Sequence, residues 1–146
     1  MRSATAAGLP FLQSVFLDSM KESISAARNG WDVGHETAQF QRQLVLETTR
    51  VIEQAGLSVG FVMTVHTDED VQIHTLCIAP EFQDRGIGSH IVRLVIQEAR
   101  ELRVGVTLSA LNVNTRARAL YNRLKFVVIN DSEHHYDMRL ASEGGE

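Results

Sequence analysis

A short turn with two glycines, between two apolar segments, is the stretch of this sequence best suited to chemistry. Residues 71–79 are rich in apolar and β-branched side chains and predict a strand that ends before Pro80. From residue 86 onward, apolar residues recur every three or four positions and predict a helix, whose apolar stripe is Ile87, Ile91, Leu94, Val95, Ala99 and Leu102. Gly86 and Gly88 leave the amides of its first turn uncovered, and the helix dipole favours an anion there. The spacing therefore predicts an anion site that would fit a pyrophosphate.

Two glycines at such a place also have a simpler interpretation, a tight turn without a ligand. The dinucleotide fingerprint G-x-G-x-x-G is not met, because Ile91 stands at the position of its third glycine. The sequence also contains no G-x-x-x-x-G-K-[ST] motif. These two nucleotide-binding motifs are therefore excluded.

Two motifs in the chain resemble those of the GNAT superfamily of acyl-CoA-dependent N-acetyltransferases. Gln83, Gly86 and Gly88 match the family pattern Gln/Arg-x-x-Gly-x-Gly/Ala, after a strand at the expected spacing. A second set matches the family stretch N-x-x-A-x-x-L-Y-x-x-x-G-F, namely Asn114, Ala117, Leu120, Tyr121 and Phe126. Lys125 departs from that stretch, because the family usually has glycine there, and we expect a strained left-handed lysine after the helix. The resemblance covers roughly residues 51–140 well and the first fifty residues loosely.

The resemblance implies a binding site for acetyl-CoA. Backbone amides of the turn would hold the pyrophosphate, assisted by the side chains of Gln83 and Ser89. In the GNAT fold the strand 71–79 parts from the next parallel strand, which would free backbone groups for the pantetheine amides and the thioester oxygen. Asn114 would hold the pantetheine or an ordered water, and its alternative is a plain helix cap. The implied cofactor-binding residues are Leu76, Cys77, Ile78, Gln83, Asp84, Arg85, Gly86, Ile87, Gly88, Ser89, Asn114 and Tyr121.

The resemblance also implies a catalytic acid and a catalytic base. Tyr121 would protonate the leaving thiolate, because a phenol keeps its proton at neutral pH, and its alternative is a core tyrosine. The positions where many family members carry a glutamate hold Gln72 and Ser109, and neither is a base. His74 shares a strand face with Gln72 and can accept a proton near neutral pH, so it is the first candidate for the base. Deprotonation of the amine through water stays open.

Residues that bind the acceptor are expected after the first helix and on two strands. Aromatic and polar groups interleave over residues 30–40, a region that roofs the acceptor site in the GNAT fold, and a plain cap on the core is the alternative. His135 and Glu53 are weaker candidates for the base. The adjacent residues His134 and His135 have no third histidine or cysteine at the spacing of metal ligands, so no metal is expected. The expected acceptor-binding residues are Trp31, Asp32, Phe40, His74 and His135.

The order of predicted elements fits an α/β (α+β) fold. The predicted strands cover residues 1–5, 48–53, 57–66, 71–79, 105–111, 126–129 and 136–140. The predicted helices cover residues 9–27, 36–46 and 86–102, with a last helix capped by Asn114. The final two strands enclose a turn at Asn130 and Asp131. The resemblance implies the GNAT fold, a mixed, twisted sheet of six or seven strands with helices on both faces.

Length and composition predict one soluble, cytoplasmic domain. The 146 residues suffice for a single core, expected over residues 1–140, followed by a flexible tail at 141–146. The chain has 14 basic and 18 acidic residues and a net charge of −4, so no nucleic acid or membrane partner is expected. A single cysteine, Cys77, excludes an internal disulfide and fits a reducing compartment.

The leading functional prediction is an enzyme that moves an acetyl group from acetyl-CoA to a primary amine in a direct ternary complex. The acceptor would be a small molecule or a protein or peptide, and a homodimer stays open. A non-catalytic acyl-CoA-binding module is the alternative, because Gln72 and Ser109 leave both glutamate positions without a carboxylate.

Overall fold

The computed structural model describes residues 1–28, 38, 44, 46–111, 114–133 and 135–141. The strands in these ranges are β1 (Arg2–Ser3), β2 (Thr49–Gln54), β3 (Leu57–His66), β4 (Asp70–Ile78), β5 (Gly105–Leu111), β6 (Val127–Asp131) and β7 (His135–Leu140). The α-helices are α1 (Leu9–Arg28), α2 (Ile87–Leu102) and α3 (Thr115–Arg123). Short 3₁₀ turns occur at Ala6–Gly8, Leu46–Thr48 and Pro80–Phe82. The predicted helix over 36–46 falls almost entirely outside the described residues.

The strands form one seven-stranded sheet in the order β1-β2-β3-β4-β5-β7-β6. β4 and β5 run parallel, and the pairs β1–β2, β2–β3, β5–β7 and β6–β7 are antiparallel. α2 connects the two parallel strands, as a crossover between parallel neighbours requires. The prediction of a mixed α/β sheet with six or seven strands is therefore confirmed.

The chain divides into two compact units. The first consists of Met1–Thr64 and Thr75–Gly88, and its buried side chains include Phe16 of α1, Val51 of β2 and Phe61 of β3. The second consists of Val65–His74 and Ser89–Glu146. Its core draws on α2, β5 and β7, whose apolar positions recur with the periods of a helix and of strands. The prediction of a single domain over residues 1–140 stays a prediction.

The buried face of α2 differs in part from the stripe that the sequence predicted. Ile87, Ile91, Val95 and Ala99 are buried as expected, and Val92 and Ile96 are buried beside them. Leu94 and Leu102 were expected on this face but are 37% and 55% exposed. At about 100° per residue, Leu94 lies on the flank of the buried stripe, and Leu102 is the last residue of the helix.

The predicted turn at Asn130 and Asp131 is wrong. Both residues belong to β6, where Asn130 pairs with Asp137 and Asp131 with Tyr136. The connection begins at Ser132, whose amide and hydroxyl both donate to the His135 carbonyl, at 2.8 and 3.0 Å. A register shift between Val128 and Asn130 leaves room for the longer strand, since a bulge adds one residue on one side of an antiparallel pair. Asn and Asp favour turns, but here pairing with β7 outweighs that preference.

Lys125 ends α3 in the left-handed conformation, with φ of 74°. The Lys125 amide donates to the Asn122 carbonyl at 3.1 Å, and the Phe126 amide donates to the Tyr121 carbonyl, also at 3.1 Å. These two bonds form a Schellman motif, in which the left-handed position usually carries glycine. Lysine therefore occupies a position that is strained for a residue with a Cβ, as the departure from the family stretch predicted.

Lys125→Gly is expected to stabilise the protein by about 1 kcal/mol, because it removes that strain. In a chain of this size the midpoint of thermal unfolding should rise by about 2–4 °C, measured by circular dichroism. Arg103 ends α2 in the same way, with φ of 61°, so Arg103→Gly should act in the same direction. A lower midpoint for both variants would show that the lost side-chain contacts outweigh the strain.

Candidate functional site

The turn between β4 and α2 has the geometry that an anion site requires. Asp84 and Gly86 both lie in the left-handed region, with φ of 63° and 81°, directly before α2 begins at Ile87. A Cβ built on Gly86 would meet no protein atom within 4 Å among the described residues. The glycine thus opens the approach to the first turn of α2, where unpaired amides and the helix dipole favour an anion.

Gln83 connects this turn to the end of the central strand. Its side-chain Nε2 donates to the Ile78 carbonyl at 2.9 Å. The resemblance to the GNAT motif implied that the Gln83 side chain helps to hold the pyrophosphate, and that role stays a prediction. In this structure the side chain fixes the position of the turn relative to the last residue of β4.

β3 supports the last residues of β4 at close range. The Ala79 amide donates to the Val59 carbonyl at 2.8 Å. A Cβ on Gly60 would fall on the Cys77 carbonyl oxygen and lie 3.1 Å from the Ile78 Cα, so only glycine allows this approach. Gly60 was not singled out from the sequence, because a glycine inside a strand does not show which backbone it faces.

The parallel pairing of β4 with β5 covers the first part of β4. Paired residues in the described strands run from Asp70 with Gly105 to Ile73 with Leu108, while β4 continues to Ile78. The predicted cofactor contacts of Leu76, Cys77 and Ile78 fall in that continuation. Cys77 is buried, and Leu76 and Ile78 are half-buried.

In the second unit, α3 carries both residues of the second motif that could do chemistry. Asn114 caps the helix, since its Oδ1 accepts a hydrogen bond from the Ala117 amide at 3.1 Å. Tyr121 is 6% exposed, and its ring meets that of Phe126 edge to face at 5.5 Å. The contact with Phe126 holds the Tyr121 ring in place. The helix cap uses the side-chain oxygen of Asn114.

A second buried tyrosine lies in the same unit. The Arg118 guanidinium lies 5.0 Å from the centre of the Tyr136 ring. Among the described residues the Tyr136 hydroxyl has no hydrogen-bond partner. Burial raises the pKa of the Tyr136 phenol, and the Arg118 charge offsets part of that rise. The phenol therefore keeps its proton throughout the neutral range.

The residues proposed for the acceptor side have different outcomes. His74 and His135 are exposed on strands of the second unit, and so are Gln72 and Ser109, which stand at the two glutamate positions. Trp31, Asp32 and Phe40 lie outside the described residues, so their predicted contacts with the acceptor stay predictions.

In the part of the chain that the structure describes, no helix is both long enough and apolar enough to cross a membrane. In the same ranges, His, Cys, Asp and Glu side chains form no group of three or more that could hold a metal ion.

The model of the acetyltransferase (GNAT) family matches residues 17–126, which is more than half of the chain. The chain belongs to the GNAT acetyltransferase family. The resemblance seen in the two motifs is thereby confirmed, and with it acetyl transfer from acetyl-CoA as the general activity.

Solved structures of other GNAT proteins show the same fold. The ribosomal-protein-S18-alanine N-acetyltransferase from Escherichia coli has a TM-score of 0.71 and 21% identity, over 99% of this chain and 94% of that one. The PaiA N-acetyltransferase from Thermoplasma acidophilum, in complex with coenzyme A, has a TM-score of 0.73 and 14% identity, with 96% of both chains covered. A GNAT acetyltransferase from Elizabethkingia anophelis with acetyl-CoA bound has a TM-score of 0.58 and 16% identity, over 64% of this chain and 74% of that one. No curated protein matches the sequence.

Proposed function

We propose that this GNAT protein is an N-acetyltransferase that moves an acetyl group from acetyl-CoA to a primary amine in one ternary complex. The observation that supports this most strongly is the turn before α2. Its left-handed Gly86 leaves open space at the amides of the first helical turn, and a pyrophosphate suits that combination. Gly56 has the same open surroundings in the turn between β2 and β3, so the helix N-terminus is what distinguishes Gly86.

In this proposal the amides from Arg85 to Ser89 hold the pyrophosphate, and the end of β4 offers backbone groups to the pantetheine. Gln83 keeps these two parts in register through its bond to the Ile78 carbonyl. The close support from Gly60 limits movement of Cys77 and Ile78, so the donors for the thioester oxygen are held in place before the reaction.

Acetyl-CoA supplies an acetyl thioester, whose C–S bond breaks as the acceptor nitrogen forms a bond to the acetyl carbon. Tyr121 provides the proton for the departing sulfur, and its burial against Phe126 holds the hydroxyl in one position. His74, an exposed imidazole on β4, is one candidate for the base. The single cysteine fits an enzyme of the cytoplasm.

A non-catalytic acyl-CoA-binding module is the second candidate, and Gln72 and Ser109 favour it because neither can act as a base. Titration calorimetry with acetyl-CoA and a thiol assay for CoA release distinguish the two functions. The acceptor panel should contain small amines, aminoglycosides and peptides, including one that begins with alanine, because one structural neighbour is named a ribosomal-protein-S18-alanine N-acetyltransferase. Acetyl-CoA binding together with amine-dependent CoA release is expected. Binding without release on the whole panel would favour the module.

A further inference from the structure

The structure places a carboxylate beside one of the two positions where many family members carry a glutamate. Ser109 on β5 pairs with Asp137 on β7 in the antiparallel register. Residues directly opposite each other in such a pair point to the same face, with Cβ atoms about 4.5–5.5 Å apart. Asp137 therefore extends over the face where a glutamate at position 109 would extend.

The same face carries further polar groups of the second unit. On β5 and β7 the residues two positions away are Thr107, which pairs with Arg139, and His135, which pairs with Leu111. The last pair between β4 and β5 is Ile73 with Leu108. His74 and Ser109 are the next residues of these two strands, so they occupy equivalent positions. The opposite face is apolar at this level, since Leu108 and Met138 are both buried.

Asp137 is half-buried and held by a neighbour. The Asn130 side-chain Nδ2 on β6 donates to Asp137 Oδ2 at 3.3 Å. That bond restricts the rotation of the carboxyl group. Asp131, the next residue of β6, pairs with Tyr136 and so belongs to the other face of the sheet.

We propose that Asp137 is the catalytic base of this enzyme, in place of the glutamate that Ser109 replaces. This inference rests on the proposed amine acetyltransferase function. The proton leaves the acceptor nitrogen for the Asp137 carboxylate as that nitrogen bonds to the acetyl carbon. The C–S bond breaks, its electrons stay on sulfur, and Tyr121 donates the proton that sulfur takes up. Exchange with water then returns Asp137 to the charged form and Tyr121 to the protonated form.

The test compares Asp137→Asn with Asp131→Asn on the full chain, using the best acceptor of the amine panel. Asparagine keeps the shape of the side chain and an acceptor for Asn130, but it cannot take up a proton at neutral pH. Asp137→Asn should lower kcat about 10²–10⁴-fold with acetyl-CoA affinity unchanged by calorimetry. Asp131→Asn removes a carboxylate of the same strand pair from the opposite face and should leave kcat unchanged.

A second variant separates catalysis from structural support. Adding Ser109→Glu to Asp137→Asn should raise kcat at least tenfold above that of Asp137→Asn alone, because it returns a carboxylate to the same face. Unchanged kcat in Asp137→Asn, or a loss that Ser109→Glu does not restore, would overturn the role of Asp137 while the acetyltransferase function stands. Acetyl-CoA binding by the parent without CoA release for any amine would instead overturn the proposed function, and this inference with it.

Discussion

Tyr121→Phe is expected to lower turnover about 10²–10⁴-fold and to leave acetyl-CoA affinity nearly unchanged. The substitution keeps the ring and its edge-to-face contact with Phe126, so only the hydroxyl is removed. Without that donor, the sulfur must leave as a thiolate or take its proton from water. Steady-state kinetics with saturating acceptor, together with calorimetry, measure the two quantities separately.

Tyr136→Phe is the matched control, because it removes a hydroxyl from the other buried tyrosine of the same unit. That hydroxyl has no hydrogen-bond partner among the described residues, so its removal should leave turnover unchanged. It should also raise stability by about 1–3 kcal/mol, since an unpaired buried polar group is costly. If Tyr121→Phe retained the parent's turnover as this control does, Tyr121 would be a core residue and the acid would have to be sought elsewhere.

Gly86→Val and Gly88→Val are expected to lower acetyl-CoA affinity about 10²-fold or more, which corresponds to about 3 kcal/mol. In both variants a branched side chain would occupy the space in front of the first turn of α2, where the pyrophosphate oxygens would lie. Calorimetric titration with acetyl-CoA measures this loss, and thermal unfolding shows whether each variant is folded.

Backbone strain needs its own control, because φ of 81° at Gly86 is unfavourable for valine whether or not a ligand binds there. Gly56→Val provides that control, since Gly56 has φ of 82° and the same open surroundings in the turn between β2 and β3. Gly56→Val should lose stability as Gly86→Val does but bind acetyl-CoA like the parent. If Gly86→Val and Gly88→Val bound acetyl-CoA with the parent's affinity, the two glycines would only form a turn and would not bind the pyrophosphate.

Local sequence determined most of the secondary structure and the turn that supports the proposed function. β3 and β5 cover the residues that were predicted, and α2 begins one residue after Gly86. The helix cap at Asn114 and the left-handed Lys125 were also predicted. These features depend on backbone geometry and side-chain periodicity within a few residues, so neighbouring positions in the chain are enough to specify them.

The tertiary structure decided the features that depend on which strands are neighbours. Alternation along β7 shows that Asp137 and His135 share a face, but only the pairing of β5 with β7 puts Asp137 opposite Ser109. The same holds for Gly60, which must be glycine because the Cys77 carbonyl of another strand occupies the space of a Cβ. From the local sequence, Asn130 and Asp131 predict a turn. They lie in a strand because the register of the sheet pairs them with residues of β7. Register joins residues through contacts that the order of the chain does not encode locally, so these positions acquire their roles only when the sheet forms.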